Sequence, residues 1–268
     1  MINLTDHEFD FIVKFMRDNY GINLSHKRQL IESRLYSLLV EKKLNNFSDY
    51  FEIIKKRDQS EISVLITKLT TNHTYFYREP IHYEFLKNVI LPYHLKNNRS
   101  HDIRIWSAGC SSGEEAYTAI MVMKDFFGMQ QNQWDFRILA TDISLKVLNS
   151  ANQGIYPVQS LENLPPNWKK KYFIQKGDSF ELSREIKDQV VFKTFNLMDK
   201  FEYRKPFDLI FCRNVMIYFE QPTKNVLVSK FYNALNPGGY FFIGHSESIL
   251  KNDVNFITVQ PSIYQKGF

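Results

Sequence analysis

A helical N-terminal region, then an α/β domain on a mostly parallel sheet carrying a small antiparallel excursion, is the fold class that the sequence predicts. Three observations carry it. Apolar residues recur at helical spacing through roughly the first hundred positions. From about residue 103, short apolar strands alternate with helical segments, the pattern of a parallel sheet covered on its faces. Residues 155–190 interrupt that alternation with Pro157, Pro165, Pro166 and short alternating stretches.

Taken in order, Thr5-Asp6-His7-Glu8 has the form of a capping box, with Thr5 at the N-cap and Glu8 reaching back. Phe9, Ile12, Val13 and Met16 then mark one helical face, and Gly21 lies just past its end. Ser25 is placed to cap a second helix running to about Lys43, and Ser48 and Ser60 to cap two more. Pro80 suits the first position of a long helix ending near Leu91, just before Pro92. Strands are predicted at Ile103–Trp106, Phe136–Ala140, Val190–Phe192, Phe207–Phe211 and Tyr240–Ile243. A helix should begin at about Ser144. Tyr172–Ile174 and Phe180–Leu182 read as strands of the excursion, and Phe256–Val259 with Ser262–Tyr264 as a closing antiparallel pair.

Composition narrows the class. At 268 residues and 44% hydrophobic, the chain can bury a full core. Its formal charge of +5 is mildly basic, which suits any acidic surface and does not require nucleic acid. Cys110 and Cys212 build neither a disulfide framework nor a zinc spacing, so a reducing, cytoplasmic location is expected. The acids in MINLTDHEFDF argue against a signal peptide, and no run of 18 apolar residues is present. The seven histidines show no ligand spacing, so no metal is expected.

The sharpest local signal is Trp106-Ser107-Ala108-Gly109-Cys110-Ser111-Ser112-Gly113-Glu114-Glu115, which follows a strand and opens a helix. Small residues let the backbone turn tightly beside a ligand, and free N–H groups at a helix start can bind an anion. A tight turn without a ligand has the same signature. The next strand ends in Thr141-Asp142, where an acid can accept from ribose hydroxyls or simply cap the following helix. Only Gly109 and Gly113 are present, so the loop lacks the dinucleotide fingerprint. Glu114 and Glu115 would repel a diphosphate but suit a cationic cofactor, which favours S-adenosylmethionine.

Five ordered blocks carry a family resemblance. They are Thr70-Thr71-Asn72-His73-Thr74-Tyr75-Phe76-Tyr77-Arg78-Glu79; Trp106 through Glu115; Ala140-Thr141-Asp142-Ile143; Phe207 through Phe219; and Gly244-His245-Ser246-Glu247. Over nearly its whole length the chain resembles the CheR chemotaxis methyltransferases. That resemblance implies a helical N-terminal domain at 1–76. It implies a Rossmann-like class I methyltransferase domain at 77–268, with a β-subdomain inserted at about 155–190. It implies S-adenosylmethionine as methyl donor, S-adenosylhomocysteine as product, and glutamates on the cytoplasmic methylation helices of membrane chemoreceptors as substrate. Carried over by position, Asn72, Thr74, Arg78, Glu115, Asp142, Asn196, Leu197, Arg213 and Asn214 would contact the cofactor.

The implied chemistry needs no base, because a glutamate with pKa about 4.3 is already ionised at neutral pH. Arg78 offers a planar fork matched to a carboxylate, and Tyr218 offers a hydroxyl shortly after the Phe207–Phe211 strand, so these two are the catalytic candidates. The structural alternatives are an interdomain salt bridge for Arg78 and packing for Tyr218. His245 and Glu247 would sit on the same face, as substrate contacts or as loop hydrogen bonds. A monomer is expected, without membrane insertion. Lys27, Arg28, Arg34, Lys42 and Lys43 could meet acidic receptor helices or merely face solvent. Segment 173–191 lacks the Gly-bounded strand pair with which some members grip a receptor pentapeptide, so an enzyme independent of that peptide is expected. A base methyltransferase is disfavoured, because Arg213-Asn214-Val215-Met216 lacks the prolines of an amino-group-holding loop. A non-catalytic S-adenosylmethionine sensor and a CheR-like enzyme of another signalling pathway are the remaining alternatives.

Overall fold

The computed structural model describes residues 3–70, 72–249 and 254–268. Thr71 of the first block lies outside them.

Four helices come first: α1 (Asp6–Tyr20), α2 (Arg28–Lys42), α3 (Phe47–Lys55) and α4 (Gln59–Leu69). The capping box forms as expected, with Thr5 Oγ1 accepting from Glu8 N and Glu8 Oε2 from Thr5 N. The other serine caps are corrected. No side chain caps α2, and Ser25 instead donates to Asn23 Oδ1 at 2.8 Å in the turn before it. Asn46 caps α3 and Asp58 caps α4. Asp58 Oδ1 takes both Ser60 N and Glu61 N, leaving the Ser60 hydroxyl to donate to that same carboxylate at 2.6 Å. The charge of α2 is partly spent inside the protein. Arg28 pairs with Asp6, Lys42 with Glu61, and Arg34 donates to the Lys68 and Thr70 carbonyls.

The predicted long helix starts at Pro80 but does not stop before Pro92. It runs as α5 (Pro80–Phe85), one π turn at Leu86–Ile90, then α6 (Leu91–Asn97). Leu91 N–H reaches back five residues to the Leu86 carbonyl. The widened turn lets the helix continue through a proline that has no N–H to give.

The sheet domain follows. Its elements are β1 (Ile105–Ala108), α7 (Glu114–Phe127), β2 (Ile138–Asp142), α8 (Leu145–Gln153) and β3 (Ile155–Pro157), then α9 (Pro166–Tyr172), β4 (Phe173–Lys176) and β5 (Ser179–Leu182). They continue as α10 (Arg184–Lys187), β6 (Val190–Thr194), β7 (Phe207–Cys212), α11 (Gln221–Ala234), β8 (Leu235–Ile243), β9 (Phe256–Gln260) and β10 (Ile263–Lys266). Among the described residues a seven-stranded sheet has the order β6-β2-β1-β7-β8-β10-β9. The first five strands are parallel, and β10 and β9 close the edge antiparallel. This is the Rossmann-like arrangement, and β3-β5-β4 forms the small separate antiparallel sheet. The first two strands extend two residues beyond their predicted ends, because parallel pairing carries on to Ala108 and Thr141.

Alternation along the central strands divides the core. Ile105, Leu209, Phe211 and Phe242 face the layer of α5 and α7. Trp106, Ile210, Phe241 and Ile243 face the other way, in one apolar cluster with Ile12, Leu35, Phe47 and Leu65 of the helical region. Burial on both faces explains why these strands read as continuous apolar runs. Strand order reverses between β1 and β7, and ligands bind outside the carboxyl ends of strands at such a point.

Candidate active site

The turn after β1 is built for close approach. Gly109 N and Cys110 N both donate to the Thr141 carbonyl, at 2.8 and 2.9 Å. Gly109 has φ +82°, and a Cβ there would lie 2.4 Å from Val215 Cγ2. Ser111, at φ +50°, points its N–H to Asp142 Oδ2 at 2.9 Å. Asp142 Oδ1 accepts from Ser144 N at 2.9 Å, while Ser144 Oγ caps α8. Asp142 is therefore braced on the loop and is not itself the helix cap. Burial raises its carboxyl above the usual range, against the backbone N–H bonds that favour its charge.

A cavity of about 430 Å³ opens beside this turn. Asn72, Thr74 and Arg78 line it from the segment that follows α4, and Glu115 and Asp142 from the ends of α7 and β2. Asn196, Leu197, Arg213, Asn214 and Tyr218 complete the set, so all the expected cofactor contacts and both catalytic candidates line one cavity. The sequence reading missed Tyr20, Ile22, Ser111, Ile143 and Phe195, which also line it. Tyr20 and Ile22 arrive because Ile22 bridges Phe219 and Asn23 N donates to the Tyr218 carbonyl at 2.8 Å. Ser111 and Ile143 had a sequence signal, as members of the glycine loop and of the block ending β2. The Ser111 Oγ is buried and has no hydrogen-bond partner among the described residues.

Arg213 organises the floor. Its guanidinium meets Glu115 Oε2 at 2.9 Å, Glu79 Oε2 at 3.2 Å, the Tyr83 hydroxyl at 3.2 Å and the Arg78 carbonyl. Burial works against its charge, but Tyr83, Glu115 and Glu79 outweigh this and keep it protonated. Glu115 Oε1 takes Ser107 Oγ at 2.7 Å. Burial raises the Glu115 carboxyl, while Arg213 and Ser107 favour its charge. Arg78 makes no salt bridge with Glu79, which pairs with Arg213 instead. It donates to the His73 carbonyl at 2.6 Å and to Asn214 Oδ1. Asn196 gives its amide to the Asn19 carbonyl at 2.8 Å and accepts from Met198 N, so its carboxamide ties α1 to the site. Tyr77, Glu79, Ser111 and Asn214 all adopt left-handed backbone, at φ 50–60°. Such conformations persist where the surroundings over-determine them, and they cluster at functional sites.

Two expectations are refined. Glu114 does not reach the cavity with Glu115; it is 3% exposed and accepts from Ser112 Oγ at 2.8 Å. Burial pushes its carboxyl up to about 7. A carboxyl raised in the folded state contributes stability at low pH that is lost as pH rises from its unfolded value near 4.5 towards 7. Glu114→Gln is therefore expected to be more stable than the parent at pH 8 and to lose that lead by pH 4.5, by about 1.4 kcal/mol per unit of raised pKa. Urea melts across that range check it; a lead that does not vary with pH rejects it. Glu247 is a loop anchor, accepting from Gly244 N, Asn214 N and Ile217 N at 2.6, 2.8 and 3.2 Å. Neither it nor His245 lines the cavity. No metal-ligand spacing was visible in sequence, yet the fold brings Glu79, His82 and His245 together.

Comparison with known proteins gives the family. Residues 72–264 match the family profile described as the CheR methyltransferase S-adenosylmethionine-binding domain, and residues 7–70 the CheR methyltransferase all-alpha domain. The chain belongs to the CheR methyltransferase family. The chemotaxis protein methyltransferase of Borreliella burgdorferi is 47% identical, over 99% of this chain and 96% of that protein. That of Escherichia coli K12 is 35% identical, over 97% and 91%. Chemotaxis protein methyltransferase 2 of Vibrio cholerae is 35% identical, over 92% and 88%. This CheR-family chain is an S-adenosylmethionine-dependent methyltransferase. Its cavity fits that donor: acids at Glu115 and Asp142, apolar walls at Ile143, Phe195 and Leu197, and an orphaned hydroxyl at Ser111. No helix among the described residues is long and apolar enough to cross a membrane.

Proposed function

We propose that this chain methylates glutamate side chains of methyl-accepting chemotaxis receptors in the cytoplasm, giving glutamyl methyl esters and S-adenosylhomocysteine. The observation that carries this reading is the Arg78 guanidinium, held at the cavity by His73 and Asn214. It is a cationic fork suited to a carboxylate acceptor. The names of the full-length relatives support chemotaxis as the pathway.

When bound, S-adenosylmethionine supplies an electrophilic sulfonium methyl. Asp142 would accept from the ribose hydroxyls, and the Glu115 carboxylate would complement the positive end of the cofactor. Asn72, Thr74, Asn196, Leu197, Arg213 and Asn214 shape the remainder of its site. Arg78 orients the incoming glutamate carboxylate towards the methyl, and Tyr218 supports that geometry from the same wall. A carboxylate is already ionised at neutral pH, so no general base is required. Alignment of two bound reactants can supply roughly 7–11 kcal/mol of the barrier. In this reading a helical domain at 1–76 precedes the catalytic domain at 77–268, the β-subdomain occupies about 155–190, and the enzyme acts as a monomer.

The test is incubation with radiolabelled S-adenosylmethionine and membranes bearing cognate receptors. Label on the receptor that is released by mild base is expected for a carboxyl methyl ester. Base-stable label, or cofactor binding without any transfer, would sink the proposal.

A further inference from the structure

His82 is buried on α5, stacked on Phe242 at 5.0 Å, and does not line the cavity. Its Nε2 lies 2.9 Å from Ser262 Oγ. The Ser262 hydroxyl gives its single proton to the Pro261 carbonyl at 2.6 Å. It must therefore accept from His82, which places the imidazole proton on Nε2. Nδ1 is left as a bare lone pair, buried and without a hydrogen-bond partner among the described residues. It faces Glu79 Oε2 at 3.5 Å. A lone pair against a carboxylate oxygen is repulsive unless a cation lies between them. His245, which is exposed, brings a further ring nitrogen, and the three ligand atoms lie within 4.8 Å of one another.

We infer that Glu79, His82 and His245 form a binding site for a divalent late-transition ion such as Zn²⁺, and that filling it draws Glu79 away from Arg213 and slows methyl transfer. Two imidazoles and one carboxylate are ligands such ions take readily, and exposure of His245 leaves a fourth position to water. The His82 Nε2–H bond to Ser262 is the outer support that metal-bound histidines typically have. Coupling to activity follows from shared atoms. Glu79 Oε2 accepts from Arg213 Nε and Nη2, both at 3.2 Å, and Arg213 in turn holds the Arg78 carbonyl and Glu115. The inference rests on the methyltransferase activity but not on which acceptor is methylated.

Untagged protein is titrated with Zn²⁺ alone by calorimetry, for the parent and for His245→Ala. One ion per parent chain is expected, bound at least about tenfold more tightly than by the variant. With Co²⁺ as probe, the parent should gain ligand-field absorption that the variant lacks. Methyl transfer by the parent should slow with Zn²⁺ and recover on chelation, while the variant, active without metal, should not respond. No Zn²⁺ binding by the parent, or equal binding by both proteins, overturns the site. Binding that leaves transfer unchanged overturns the coupling through Glu79. Neither readout depends on the receptor reading, because cofactor turnover can be followed on any accepted substrate.

Discussion

Arg78→Ala is expected to lower kcat for methyl transfer by about 10²-fold, the cost of misplacing the reacting carboxylate. The side chain is placed before substrate arrives. The His73 carbonyl takes one terminal nitrogen and Asn214 Oδ1 the other, while Tyr75 lies 5.8 Å beneath the guanidinium. Asn214 is itself fixed in a left-handed conformation, with its N–H on Glu247 Oε2 at 2.8 Å. The donor is therefore oriented at no cost during reaction. Substrate-saturated rates and cofactor affinity separate its roles. A fall in kcat with cofactor affinity changed only a few-fold marks orientation of the carboxylate. Equal loss in both would mark a cofactor contact, and unchanged turnover would remove Arg78 from the mechanism. Arg78→Lys should recover little, because an ammonium cannot span two acceptors in a fixed plane.

Local rules made some of the molecule legible in advance. The Thr5–Glu8 box, the Gly21 stop and the apolar strands are written in residues close in sequence, and the structure follows them. Reading failed where a distant or stronger competitor decided the outcome. Asn46 and Asp58 displaced neighbouring serines as caps because they stand at the residue preceding the first turn, with side-chain oxygens on its N–H groups. The π turn before Pro92 obeys no short pattern. At the site, the Gly109 turn and Asp142 were visible as a strand–loop–helix pattern. Asn72, Thr74, Asn196 and Arg213 came only through family resemblance, since nothing in their spacing shows that they converge. The walls from Tyr20 and Ile22 depend on a bridge between residues 22 and 219, which no window of sequence contains. Glu79, His82 and His245 meet for the same reason, across a separation of more than 160 positions.

Arg213→Ala is expected to cost about 3–5 kcal/mol of stability at neutral pH, beyond any loss of activity. The side chain is 3% exposed and lies between two carboxylates that are each 12% exposed. Removing it leaves Glu79 and Glu115 buried without their cation, and that desolvation cost exceeds the net worth of the original pairs. Urea unfolding at unchanged m-value measures the difference. A loss under about 1 kcal/mol would mean that water reaches the carboxylates and that Arg213 is not the keystone of the floor. Acidification supplies an independent check. Burial already raises the Glu115 carboxyl, and without Arg213 it would be raised further. For a carboxyl raised in the folded state, stability is present below its unfolded value and is lost as pH climbs through the folded one. The gap between parent and variant should therefore narrow as pH falls towards 5. Adding Glu115→Gln to the variant should recover part of the loss at pH 7, and more than the same change gains in the parent, where Arg213 favours the Glu115 charge. That non-additivity separates a buried ion pair from simple packing, which would give two effects that add.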